Sequence, residues 1–303
     1  MNRQLLAVLA IVATVVMWAS SSVAIKAVST SGLVTVLYRL WFAIPPLWLT
    51  MLPRPMRRRL GRDWLRGSVV GGLLFSVHQV LYFTSLKLTT VADVTIIGAL
   101  QPALVLLVAG PLFEERASPG AIAWSAVAFV GTIVVVLGAA HAPTWSLLGD
   151  VLALVNLFAF TAYFLVSKRI RETVGAWEYV VGMTTVSGVV MLLVTLATHQ
   201  SFGNLAAWEW GILVAIAIFP GTLGHVFTNW AHAYVPAFVS SMILLAVPII
   251  ATAGAAVVLD EPVSALQIVG GAIVLVAIGI IVASSRRRDA EVLAESAALS
   301  EAP

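Results

Sequence analysis

The chain has no cysteine. That absence excludes disulfide staples, thiolate nucleophiles and cysteine-held metal sites. Charge is scarce too: Asp, Glu, Lys and Arg make up 10% of the 303 residues, against about 25% in soluble domains. No His-Glu-x-x-His, no Gly-x-Ser-x-Gly and no aspartate pair within an apolar segment can be read. Zinc-protease, nucleophile-elbow and intramembrane aspartyl chemistry therefore have no signature here. No catalytic residue, metal ligand or cofactor is expected, and the chain is not read as an enzyme. No nucleic-acid motif stands out. The arginines sit in short stretches beside apolar runs, which membrane topology accounts for without RNA or DNA.

What is abundant is apolar surface. Hydrophobic residues make up 60% of the chain, and the mean hydropathy is +1.02. Such a chain is solvated by lipid. A membrane helix takes roughly 20 mostly apolar residues. On that scale the sequence divides into ten spans, near 5–25, 33–52, 67–86, 91–113, 120–139, 147–167, 176–197, 206–230, 236–258 and 264–284. Turn chemistry marks several starts. Ser118-Pro119 supplies a cap and an N1 proline, Ser264 can cap the last span, and Thr90 with Asp93 has the spacing of a capping box.

Basic residues set the direction. With the N-terminus inside, every Lys and Arg except Lys26, Lys87 and Arg39 falls on the inner side. Both termini are therefore expected in the cytoplasm. Arg39 lies within the second span, where it is either paired or snorkelling to an interface. Trp64, Trp124, Trp145, Trp177, Trp208 and Trp210 stand near span ends, as aromatic belts require.

The chain also repeats itself. Pro102 precedes Glu114-Glu115 by the same interval at which Pro248 precedes Asp260-Glu261. A serine, Ser118 or Ser264, follows three positions after the second acid. Each copy holds five spans, an odd number, so the second must enter the membrane from the opposite side. The expected fold is an all-α membrane protein of ten transmembrane helices built as two inverted five-helix repeats, 1–142 and 143–285, with a disordered cytoplasmic tail at 286–303. Inverted repeats of this kind place a binding site between the halves near the bilayer midplane.

Polar side chains inside spans are costly and mark candidate sites; the competing reading for each is a bond to a neighbouring helix. His78 and Tyr82 are four apart and share a helix face. His225 and Asn229 repeat that spacing at the matching place in the second copy. Gln101 precedes the kink proline Pro102, and Pro248 is its counterpart. Trp18 lies in the first span; Asn156 and Tyr163 lie in the matching sixth. Asp93 is assigned to capping, and Glu115 and Glu261 to tight turns at the membrane surface. Gly71, Gly72, Gly270 and Gly271 allow close helix contact within one molecule.

These residues carry a resemblance. Trp18-Ala19-Ser20-Ser21-Ser22-Val23-Ala24-Ile25-Lys26 is similar to the first-helix signature of the drug/metabolite transporter superfamily, EamA branch. Tyr163-Phe164-Leu165-Val166-Ser167-Lys168 resembles the same signature in the second copy, with Phe160 where tryptophan is expected. Tyr82-Phe83-Thr84-Ser85-Leu86 through Pro102 to Ser118, and Val258 through Ser264, resemble the family's core. The resemblance covers nearly the whole chain. It implies a bacterial inner-membrane exporter of small metabolites, most like the YddG-type aromatic amino-acid exporters. The partners implied are a small-molecule substrate, an amino acid or similar metabolite, and the lipid bilayer, with the monomer as functional unit. Export of drugs, purines or sugars in the same fold stays open, as do a channel and an intramembrane enzyme. No midplane carboxylate pair is evident to carry a coupling ion, which favours downhill export by alternating access.

Overall fold

The computed structural model describes residues 3–51, 61–113, 119–139, 144–235, 240–241, 243–277, 279–280 and 284. The loop arginines Arg54, Arg57, Arg58 and Arg59, the segment Glu114 to Ser118 with its expected cap, and the expected tail lie outside the described residues. Among the described residues every regular element is helical.

Helix α1 is Arg3–Ala27, α2 Gly32–Met51 and α3 Arg62–Leu88. Two short helices follow, α4 Val91–Gly98 and α5 Gln101–Phe113, and then α6 Pro119–Ala139. The second half opens with α7 Leu147–Ile170 and α8 Ala176–Ala197. Next come α9 Ala207–Ile218, a π-helical segment Phe219–Gly224, and α10 His225–Ala231. Helices α11 Ala246–Val258 and α12 Ala265–Ala277 complete it. Among the described residues, six stretches are long and apolar enough to cross a membrane, and four shorter apolar helices accompany them.

The local chemistry explains the starts and breaks. The Thr90 side chain accepts from the Asp93 N–H at 3.0 Å, and Ser146 accepts from Gly149 at 3.3 Å. Ser264 forms a full capping box with Gln267, bonds of 2.9 and 3.1 Å running both ways. The expected kinks at Pro102 and Pro248 are sharper than kinks. The fourth span stops at Ala99-Leu100 and restarts at Gln101; the ninth shows turns at Leu244-Leu245 before α11. A proline has no N–H, so it cannot complete the bond to the residue four before it, and its ring crowds that carbonyl. The eighth span holds the π segment that the sequence reading missed. There Thr222 Oγ1 donates to the Ala217 carbonyl, five residues back, at 2.9 Å. Pro220 within it removes another helical donor.

Lipid-facing surfaces are apolar. Leu9, Val12 and Val16 on α1, and Val69, Val70, Leu73 and Val77 on α3, are all exposed. In water such a surface would aggregate; in a bilayer it is the solvated face. Several inward threonines and serines bond carbonyls of their own helices, as Thr14, Ser22, Ser76 and Thr161 do. Their hydroxyls are thus satisfied without water.

The packing repeats when the halves are exchanged. Helix α3 packs on α7 and α8, as α10 and α9 pack on α1 and α2. Helix α4 meets α7, as α11 meets α1. The pairs α2–α8 and α4–α11 map onto themselves. Close approach rests on glycine where backbones touch. A Cβ on Gly270 of α12 would stand 2.7 Å from the Gly131 carbonyl of α6, and one on Gly72 of α3 would meet Val186 and the Met183 carbonyl of α8 at 2.6 and 3.0 Å. Gly271 has only ordinary contact, 3.4 Å to Ile96.

Candidate functional site

A cavity of about 110 Å³ lies between the two halves, where α1, α2, α3, α4, α7 and the π segment converge. One water takes about 10–15 Å³ on the same measure, so there is room for several. Among the residues singled out from sequence, Trp18, His78, Tyr82, Gln101, Asn156 and His225 line it, as do Pro102 and Pro248.

Tyr163 and Asn229 do not line it. Tyr163 is buried one layer behind, its ring parallel to that of His78 with centroids 6.0 Å apart. Its hydroxyl lies 3.3 Å from His225 Nδ1, and Asn229 Nδ2 donates to it at 3.5 Å. Asn229 Nδ2 also bonds the His225 carbonyl at 2.8 Å. These two hold the wall from outside. The expected pair of matching polar faces is therefore only half realised: His78 and Tyr82 both reach the cavity, but of His225 and Asn229 only His225 does. The π segment immediately before α10 takes more residues per turn, so side chains beyond it are rotated relative to their counterparts on α3.

The wall is knitted from both halves. His78 Nδ1 lies 2.7 Å from Asn156 Oδ1; since that oxygen only accepts, His78 donates from Nδ1. Tyr82 and Ser22 share a hydroxyl–hydroxyl bond of 2.6 Å. The Trp18 indole N–H donates at 3.3 Å to the carbonyl of Pro220, which lies in the π segment. Ring contacts run between them: Trp18 to His225 at 5.1 Å, His78 to Phe160 at 4.7 Å and Phe75 to His225 at 4.7 Å. These fall in the range where aromatic pairs attract. Phe160, where tryptophan is expected, lines the cavity as a tryptophan would.

Sequence reasoning set Arg39 within the second span, paired or snorkelling, and missed it as a cavity residue. It does not snorkel: it is 4% exposed and lines the cavity. Its Nη1 donates to Gln79 Oε1. The guanidinium carbon stands 5.7 and 5.5 Å from the Phe75 and Phe83 ring centroids. The available signal was that Arg39 alone among the basic residues lies at mid-span.

At the membrane end that carries Lys26, a polar cluster ties the halves together. Lys26 pairs with Glu261 and donates to the Thr89 carbonyl. Glu261 Oε2 accepts from the Val91 N–H at 2.9 Å. Asp260, at φ 53°, turns the chain in the left-handed region, which Asp tolerates better than most residues; that turn presents Glu261. Glu261 stands in the turn where it is expected, and its side chain also reaches across the halves to Lys26 and Val91. Glu115 lies outside the described residues. Asp93 is corrected. Thr90 caps α4, but the Asp93 carboxylate does not complete the box; it accepts from Gln267 Nε2 at 3.1 Å and Thr89 Oγ1 at 3.4 Å. Thr89 Oγ1 also reaches Asp150 at 2.8 Å, which Trp145 bonds at 2.7 Å. An aspartate pair that no local pattern announced is thus assembled from two halves, at the edge of the bundle. Among the described residues no cluster of three or more His, Asp or Glu is placed to hold a metal.

Comparison with known proteins gives a consistent picture. The model of the EamA-like transporter family matches residues 5–137 and again 147–283. A "Probable terminal-alkyne amino-acid exporter" of Streptantibioticus cattleyicolor is 29% identical over 272 residues, 88% of this chain and 90% of that protein. The aromatic amino acid exporter YddG of Ancylobacter novellus is 28% identical over 172 residues, 55% of this chain and 56% of that protein. A solved crystal structure that is 20% identical superposes with a TM-score of 0.68, covering 93% of this chain and 98% of that one.

Proposed function

We propose that this chain, which belongs to the EamA-like transporter family, is a ten-helix carrier of the bacterial inner membrane that exports amino acids, aromatic ones foremost. It is a multi-pass membrane transporter. The finer reading is that two inverted five-helix repeats, 1–142 and 143–285, alternate access to the cavity between them. The single observation that carries it is the cavity wall: aromatic rings and hydrogen-bonding groups contributed by both halves meet at mid-span. Trp18, Tyr82 and Phe160 offer faces for a ring to stack on. His78, Gln101 and Asn156 offer polar contacts. Gln101 Nε2 is buried with no partner, which leaves a donor for cargo. His225 forms part of this wall, and Tyr163 and Asn229 brace it from behind. The names of two relatives, a probable terminal-alkyne amino-acid exporter and an aromatic amino acid exporter, support the cargo class.

The test is counterflow in proteoliposomes. Vesicles are preloaded with unlabelled Phe, Trp, Tyr, Thr, Ala or adenine, and uptake of labelled Phe is followed. Stimulation by aromatic amino acids above the others is expected. Equal stimulation by Thr and Ala makes it a broad amino-acid carrier. No stimulation by any amino acid overturns the proposal. Both termini are placed in the cytoplasm, because the basic residues gather on that side. A reporter fused at the C-terminus that is active outside would overturn the ten-span topology.

A further inference from the structure

We propose that Arg39 is the anion subsite of the cavity: its guanidinium receives the carboxylate of the cargo, so the site requires a carboxylate and rejects the corresponding amine. This rests on the cavity being the cargo site.

Arg39 is eight residues into the 20-residue α2 and reaches neither membrane surface. It is buried, yet it forms part of the cavity wall. A guanidinium keeps its charge in any protein environment. Burying such a charge without a counter-ion is strongly unfavourable. Among the described residues no carboxylate forms an ion pair with it. Its side-chain acceptor is Gln79 Oε1, and its Nε has no partner. The Phe75 and Phe83 faces offset part of the cost through cation–π attraction but accept no hydrogen bond in the plane of the fork. Five donors in a rigid planar fork, with one neutral acceptor supplied by the protein, are matched by a carboxylate in bidentate contact.

The rest of the cavity suits the other parts of a zwitterion. Gly98 lines it, and the lack of an N–H on Pro102 denies the Gly98 carbonyl its usual helical partner. That carbonyl lies at the C-terminal, negative end of α4, where an ammonium is favoured. Trp18, Tyr82 and Phe160 remain for the side chain.

The experiment is a competition series in the same proteoliposomes, with wild type, R39K and R39Q. Labelled Phe counterflow is challenged with Phe, hydrocinnamate, which lacks the ammonium, and phenethylamine, which lacks the carboxylate. In wild type, phenethylamine is expected to compete about 100-fold or more weakly than Phe, since a site with buried donors rejects a ligand that leaves them unpaired; hydrocinnamate retains measurable competition. R39Q is expected to lose most Phe counterflow and the distinction between Phe and phenethylamine, while R39K keeps that distinction at reduced rate. The wild-type series needs no variant, and melting temperatures in detergent identify any variant that fails to fold. Phenethylamine competing as well as Phe in wild type overturns the Arg39 assignment and leaves the carrier standing. Wild-type vesicles that exchange adenine and no amino acid overturn both.

Discussion

His78 and Tyr82 share one face of α3 but are held by different partners. His78 bonds Asn156 from the second half, and Tyr82 bonds Ser22 of α1. Removing each therefore has different consequences. His78→Ala strands Asn156 Oδ1 in a buried place and removes the ring packed on Phe160. A stranded buried polar atom costs about 1–3 kcal/mol, so a lower melting temperature and a severe loss of counterflow are expected together. Tyr82→Phe removes one hydroxyl and keeps the ring, so counterflow should fall modestly with little change in melting. Wild-type rates in both variants at equal expression would return these residues to helix packing. The helical period identified the face on which His78 and Tyr82 lie, because four residues span just over one turn. It did not reveal what stands opposite. Arg39 shows the limit: the sequence places an arginine inside a span, but whether its head meets water, a carboxylate or a cavity depends on helices distant in the chain. Tyr163 and Asn229 show it in reverse, polar residues that face another helix and not the opening.

At the level of elements, the pattern that could be read was punctuation. Pro102 and Pro248 sit at the broken spans, and Thr90 and Ser264 at helix starts. The π segment at Phe219–Gly224 was hidden because a backbone slip changes which residues lie above one another without changing composition. The glycines read as close-contact positions divide by what faces them. Gly270 lies against the Gly131 backbone, while Gly271 has ordinary space. Gly270→Ala should therefore push α12 from α6 and lower stability by about 1–3 kcal/mol, the usual cost of overpacking. Gly271→Ala should be nearly neutral. Paired thermal melts in one detergent distinguish them, and equal shifts would disprove this account of the crossing.

For the whole molecule, the absence of cysteine makes the wild type a background for single-cysteine probes. Ser21 lines the cavity, and the Lys26–Glu261 contact joins α1 to the α11–α12 turn at one end. Replacing both Lys26 and Glu261 by Gln removes the tie without leaving a lone buried charge. In a Ser21→Cys background this double change should speed modification by a membrane-impermeant thiol reagent added on the Lys26 side. An unchanged rate would mean that other contacts close that end. The contacts of this polar cluster could not be foreseen from local sequence, because its members come from α1, the α3–α4 turn, α4, α7, the α11–α12 turn and α12.

The two halves also differ in one respect that matters for the whole molecule. Where α3 runs unbroken from Arg62 to Leu88, its counterpart contains a π segment whose Pro220 carbonyl holds Trp18. In the proposed pair of inverted repeats, exchanging the roles of the halves would turn one access state into the other, so identical halves would make the two states isoenergetic. A device present in one half alone lifts that degeneracy. On the proposed alternating-access mechanism, the empty protein is then expected to rest facing one side of the membrane more than the other, with the Trp18–Pro220 bond as one of the places where that bias is stored.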